Sequence, residues 1–182
     1  FDEGDVVLME SPTYLAAINA FKAYGPEFKE VPTDEKGMIP EELEKILAST
    51  PKIKLIYVIP DFQNPTGICW TLERRKAFMD LINKYEVPVL EDNPYGELRY
   101  DGETLPSLMS MDTKGLVMGM GTFSKTFCPG LRIGWLAANT TLLAEFVKVK
   151  QSADLHTSAF DQAIIDRYMD EYSLDEHVKE IN

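Results

Sequence analysis

The chain has 182 residues, of which 45% are hydrophobic and 26% charged, and its 18 basic and 30 acidic side chains give a formal charge of −12. That composition is typical of a soluble globular protein rather than a disordered one, and no apolar run approaches the roughly 20 residues that cross a bilayer. The acidic balance argues against nucleic acid and anionic membranes as partners, because both call for a positive field.

Short apolar runs alternate with longer amphipathic ones, the pattern of an α/β protein with a mostly parallel sheet flanked by helices. In chain order the predicted strands are Val6 to Met9, Phe28 to Val31, Leu55 to Ile59, Val87 to Glu91, Leu116 to Met120 and Ile133 to Ala137. Predicted helices lie between and after them: Leu15 to Ala23, Glu41 to Ala48 behind Pro40, Leu72 to Tyr85 behind a Thr71 cap, Leu142 to Val149, and Ala159 to Tyr172. Asp34-Glu35-Lys36-Gly37 and Tyr100-Asp101-Gly102-Glu103 read as turns. The chain opens almost at once on an apolar run and closes within a helical pattern, so we expect an excerpt of a longer chain. Two cysteines, Cys69 and Cys128, make no disulfide framework, and a cytoplasmic location is the expectation.

Open parallel sheets bind ligands beyond the carboxyl ends of their strands, and three strand exits here are rich in polar residues, Gly and Pro. Ile59 is followed by Pro60-Asp61-Phe62-Gln63-Asn64-Pro65-Thr66-Gly67, Leu90 by Glu91-Asp92-Asn93-Pro94-Tyr95-Gly96, and Met120 by Gly121-Thr122-Phe123-Ser124-Lys125. No phosphate loop or nucleophile elbow occurs, Gly119-Met120-Gly121 is a weak dinucleotide match, and isolated His156 and His177 make no metal site. Lys125 follows a strand and a short polar turn among apolar and small residues. Partial desolvation there would lower its pKa and make it a Schiff-base former; the plain alternative is a solvated loop lysine. Asp92 is open to a bland reading as a turn cap, Asn64 as a shaper of its own turn, and Arg132 as either a surface guanidinium or an anion clamp.

Taken together, Asn64-Pro65-Thr66-Gly67, Glu91-Asp92-Asn93-Pro94-Tyr95-Gly96, and Gly121-Thr122-Phe123-Ser124-Lys125 leading through Pro129-Gly130-Leu131-Arg132-Ile133-Gly134-Trp135 resemble the fold type I pyridoxal 5′-phosphate enzymes, in particular class I/II aminotransferases. The resemblance extends from Gly4-Asp5 to His156-Thr157-Ser158. It is greatest for the branch with 2-aminoadipate and aromatic aminotransferases and the aminotransferase-like domains of GntR-type regulators. It implies that Lys125 forms a Schiff base with the cofactor aldehyde and moves the substrate proton, and that Asp92 pairs with the pyridine nitrogen. It further implies that Asn64 and Tyr95 bond the phenolic oxygen, that Arg132, Thr122 and Ser124 hold the phosphate, and that Tyr14 stacks on the ring. Asn64-Pro65 is expected to be cis. The substrates implied are an amino acid and a 2-oxo acid, and the full-length protein is expected to be a homodimer. Residues 1–182 would be part of the large cofactor-binding domain, without the N-terminal segment and C-terminal small domain of the family, and this excerpt alone is expected to be inactive. A carbon–sulfur β-lyase and the effector domain of a transcriptional regulator share the same motifs and stand as alternatives.

Overall fold

The apolar run after Asp5 forms strand β1 (Val6–Glu10), and all five of its residues are buried. Burial on both faces is what a central strand of a parallel sheet requires. In the computed structural model, which describes residues 1–182, β1 pairs in parallel with β2 (Glu27–Val31) on one side and β5 (Ile53–Val58) on the other. Strand β5 pairs in parallel with β6 (Val89–Asp92), with Tyr57 opposite Leu90 and Val58 opposite Glu91. In the chain between β2 and β5, β3 (Thr33–Asp34) and β4 (Gly37–Met38) form a separate small antiparallel hairpin at the predicted turn. Gly37 there has φ +111°, and a Cβ would lie 2.4 Å from the Trp70 ring, so only glycine fits.

The chain divides into two compact units. The first comprises Phe1–Asp92 and Leu105–Gly119. Its sheet runs β2-β1-β5-β6 and on to the first half of β7 (Val117–Thr122). Helix α1 (Leu15–Lys22) is short, and α2 (Pro40–Ser49) starts on Pro40 and buries Leu43 and Leu47. Helix α3 (Leu72–Tyr85) coincides with its predicted span: Thr71 accepts from the Arg74 N–H at 3.2 Å, and Glu86 ends the helix in the left-handed region. Its buried residues, Arg75, Phe78, Met79 and Ile82, fall on one face at helical spacing. Burying side chains such as Phe78 and Ile82 contributes about 1.5–3 kcal/mol each.

Arg75 is fully buried. Its guanidinium pairs with Asp61 Oδ1 at 2.8 Å and donates to the carbonyls of Pro60, Trp70 and Pro106, so no charge is left uncompensated. Glu91 accepts from the N–H groups of Leu108 and Met109 at 2.7 and 2.8 Å, which satisfies the start of the one-turn helix α4 (Leu108–Met111).

The second unit comprises Asn93–Thr104 and Met120–Asn182. Here the end of β7 lies beside β8 (Gly134–Ala137). Residues expected to form a polar turn instead make a one-turn helix, α5 (Phe123–Thr126), because the Thr122 hydroxyl caps it by accepting from the Ser124 N–H. A 3-10 turn at Pro129–Leu131 follows. Three longer helices complete the unit: α6 (Thr140–Asp154), α7 (Ala159–Glu171) and α8 (Leu174–Ile181), capped by Asn139, Ser158 and Ser173. Phe127, Tyr168 and His177 pack edge to face or tilted, with Phe127 and Tyr168 ring centroids 4.6 Å apart. Helix α6 has no buried residue, and Phe146, Val147 and Val149 on it are exposed. No helix is long and apolar enough to cross a membrane.

Candidate active site

The three loaded strand exits found in the sequence all follow sheet strands, and the candidate residues divide between the units. Tyr14, Asn64 and Asp92 belong to the first, and Tyr95, Thr122, Ser124, Lys125 and Arg132 to the second.

In the first unit Asp92 ends β6 and is buried. Its side chain does not cap the Asn93-Pro94 turn; Asn93 does that work through Oδ1, which accepts from the Gly96 N–H at 2.9 Å. Asp92 Oδ2 instead accepts from the Tyr57 hydroxyl at 2.7 Å, its one hydrogen bond, and Oδ1 has no donor. Burial pushes the Asp92 carboxyl above the ordinary carboxylate range, and the Tyr57 hydrogen bond pulls it partly back.

The loop after β5 carries Asn64, whose bond to Pro65 is cis as expected; Ser11-Pro12 is cis as well, which the sequence reading did not anticipate. The loop is shaped by Gln63 rather than by Asn64. Gln63 Oε1 accepts from both the N–H and the hydroxyl of Thr66, at 2.9 and 2.7 Å, and its Nε2 donates to the Pro12 carbonyl at 2.8 Å. Behind this loop the buried Glu10 carboxylate accepts from the Ile59 N–H and the Trp70 indole N–H, both at 2.9 Å. Burial raises its pKa to about 7 against the pull of these donors and of Gln63. Tyr14 is the N-cap residue of α1, makes no side-chain cap bond, and is 40% exposed.

In the second unit Lys125 lies in the last turn of α5, and its Nζ sits 5.8 Å from the centre of the Tyr95 ring. The side chain is exposed and forms no ion pair, where the sequence led us to expect partial desolvation. The small and apolar neighbours in the chain do not cover it. Arg132 stands in the left-handed region at φ 58°. Its Nη1 donates to the Pro129 carbonyl at 2.9 Å and reaches Ser124 Oγ at 3.4 Å; no carboxylate neutralises it. Thr122 Oγ1, besides capping α5, donates to the Ile133 carbonyl at 3.3 Å. Gly121 is required by the Trp135 indole, which a Cβ would meet at 2.5 Å. A cavity of about 160 Å³ lined by Asn93, Pro94, Thr122, Phe123, Thr126 and Trp135 lies in this unit, but neither Lys125 nor Arg132 lines it.

The sequence reading missed Tyr57, Glu10 and Gln63. Each sits in or beside an apolar strand or a loop already named for another residue. The available signal was a polar side chain placed at a strand end, which Glu10 shows at the end of β1.

The whole chain, residues 1–182, matches the protein family described as Aminotransferase class I and II. It is 43% identical over 98% of its length to aromatic-amino-acid aminotransferase 1 of Thermococcus litoralis, covering 44% of that protein. Among solved structures it superposes on the kynurenine aminotransferase of Pyrococcus horikoshii, in complex with PMP and with KYN and KYA, with a TM-score of 0.96 and 41% identity. It is covered entirely there and spans 46% of that chain. Against the α-aminoadipate aminotransferase LysN of Thermus thermophilus, complexed with N-(5′-phosphopyridoxyl)-L-leucine, the TM-score is 0.93 and the identity 35%, over all of this chain and 47% of the other. The chain thus spans a little under half the length of the proteins it matches.

Proposed function

Since this chain belongs to the class I and II aminotransferases, we propose that it is the central part of the large domain of a pyridoxal 5′-phosphate-dependent aminotransferase. The donors that its relatives' names support are aromatic amino acids, kynurenine and 2-aminoadipate, with a 2-oxo acid as acceptor. The observation that carries the reading is the Asp92 carboxylate: buried, bonded on one oxygen by Tyr57 and open on the other. A buried carboxylate with one unpaired oxygen suits a ligand that brings its own N–H donor, as a protonated pyridine does.

The residues present fit that cofactor. Lys125 supplies a primary amine held by no carboxylate, Arg132 an un-neutralised guanidinium beside the Ser124 hydroxyl, and Asp92 an acceptor for a ring N–H. When bound, the cofactor supplies an aldehyde for amines to condense with and a ring that takes up the electron pair left on loss of the Cα hydrogen. Lys125 Nζ would be the amine that holds the cofactor aldehyde and, once released, the base that takes the Cα proton and returns it. Asp92 would keep a proton on the ring nitrogen. By the family resemblance, Tyr95 and Asn64 would hold the phenolic oxygen, Arg132 would hold the phosphate by charge-assisted hydrogen bonds together with the hydroxyls of Ser124 and Thr122, and Tyr14 would lie against the ring. Thr122 has the weakest claim among these, since its hydroxyl already caps α5.

We assign the protein to the cytoplasm as a homodimer. The exposed apolar side chains of α6 and α7, among them Val147, Val149 and Phe160, support a covered surface there. The test is a donor and acceptor assay on the full-length protein with added cofactor. Amino transfer from one of these donors to 2-oxoglutarate supports the reading; ammonia and a 2-oxo acid released without any acceptor would show a lyase instead.

A further inference from the structure

Tyr57 belongs to none of the motifs that point to the cofactor, yet it makes the one hydrogen bond of Asp92. The strand register explains the contact. Tyr57 of β5 is directly opposite Leu90 of β6, and Asp92, two residues on, shares the Leu90 face of the sheet, within diagonal reach of a tyrosine side chain. The ring is buried and held edge-on by Phe21 of α1, with centroids 5.6 Å apart. Its freedom to turn the hydroxyl away from Asp92 is therefore small.

The chemistry of the pair is one-directional. Burial first, and then the neighbouring Asp92 carboxylate, push the Tyr57 phenol above its ordinary range, and the more distant Glu10 and Tyr14 act in the same sense. The hydroxyl therefore stays protonated and serves only as a donor to Asp92. A donor to a buried carboxylate favours its ionised form and leaves the free oxygen, Oδ1, for the ligand.

We propose that Tyr57 is a positioning residue of the cofactor site, whose hydroxyl holds Asp92 ionised and orients its Oδ1 toward the ring nitrogen. The inference rests on the role given to Asp92 above. Without the Tyr57 donor, the carboxylate becomes the better proton acceptor. The shared proton then moves from the ring nitrogen toward Asp92, weakening the ring as an electron sink without altering what grips the substrate.

The experiment uses the full-length protein loaded with cofactor labelled with nitrogen-15 in the ring. In Tyr57→Phe the ring-nitrogen signal moves toward the unprotonated position, and kcat falls about tenfold to a hundredfold, the worth of one hydrogen bond to a charged group, with KM little changed. Replacing Tyr57 with 3-fluorotyrosine, a stronger donor of nearly the same shape, moves the signal the opposite way and keeps the proposal testable should the Phe variant fold poorly. Asp92→Asn alone shifts the signal further, and adding Tyr57→Phe to it changes nothing more. A wild-type signal in both Tyr57 variants, with Asp92→Asn shifted, overturns the inference and leaves the role of Asp92 standing. An unshifted signal in Asp92→Asn overturns both.

Discussion

Glu10 gives a pH-dependent contribution to stability whose size follows from its surroundings. It is 2% exposed, and its pKa stands at about 7 in the folded protein against an ordinary 4.5. The folded state therefore holds a proton on this carboxyl between about pH 4.5 and 7 that the unfolded chain has released. Its contribution is fully present below pH 4.5 and is lost as pH rises through 7. The difference between about 7 and the ordinary 4.5 corresponds to about 3.4 kcal/mol. Glu10→Gln keeps the shape and removes the titration, whereas Glu91 and Asp92, also pushed up by burial, titrate in both proteins and cancel in the difference. Urea unfolding of both proteins from pH 4.5 to 8 should therefore show the wild type losing about 3 kcal/mol relative to the variant, with most of the change below pH 7.5. A difference that is flat with pH, or one that favours the wild type as pH rises, would refute the reasoning.

Arg75→Met removes the cation paired with the buried Asp61 carboxylate and should cost about 3–5 kcal/mol in urea unfolding; adding Asp61→Asn should recover part of that loss, and no recovery would point to the lost carbonyl contacts instead. Thr71→Ala removes the acceptor of the Arg74 N–H and should cost about 1 kcal/mol by the same measurement. Arg132→Ala should weaken cofactor affinity about tenfold or more, measured by equilibrium dialysis of the full-length protein, because in the proposed site its guanidinium would carry the charge-assisted contact to the phosphate.

Much of the architecture was legible because apolar runs and helical spacing leave strong local signals. Val6 to Met9 reads as a buried strand, and Leu72 to Tyr85 carries its own cap and a buried face. What escaped is short or non-local. Helix α5 is a single turn made by the Thr122 cap, too brief for any periodicity, and β3 and β4 are two residues each. Arg75 sits in Glu73-Arg74-Arg75-Lys76, which looks like a solvated face, and its burial depends on carbonyls and a carboxylate from other segments. The candidate residues themselves stood out as a set through their order along the chain. Their partners did not: Tyr57 reads as one more apolar strand position until the register places it diagonally to Asp92. The exposure of Lys125 differs from the expectation for a related reason: residues adjacent in sequence do not have to cover a side chain in space.

The central claim, that Lys125 binds the cofactor covalently, is tested most directly by borohydride reduction of the full-length protein with pyridoxal 5′-phosphate, followed by mapping of the labelled peptide. The account predicts a stable phosphopyridoxyl group on Lys125, in a tryptic peptide that runs uncut from Gly115 through Lys125 to Arg132, and none after Lys125→Ala. Stoichiometric label on a different lysine, with Lys125 unmodified, would contradict it.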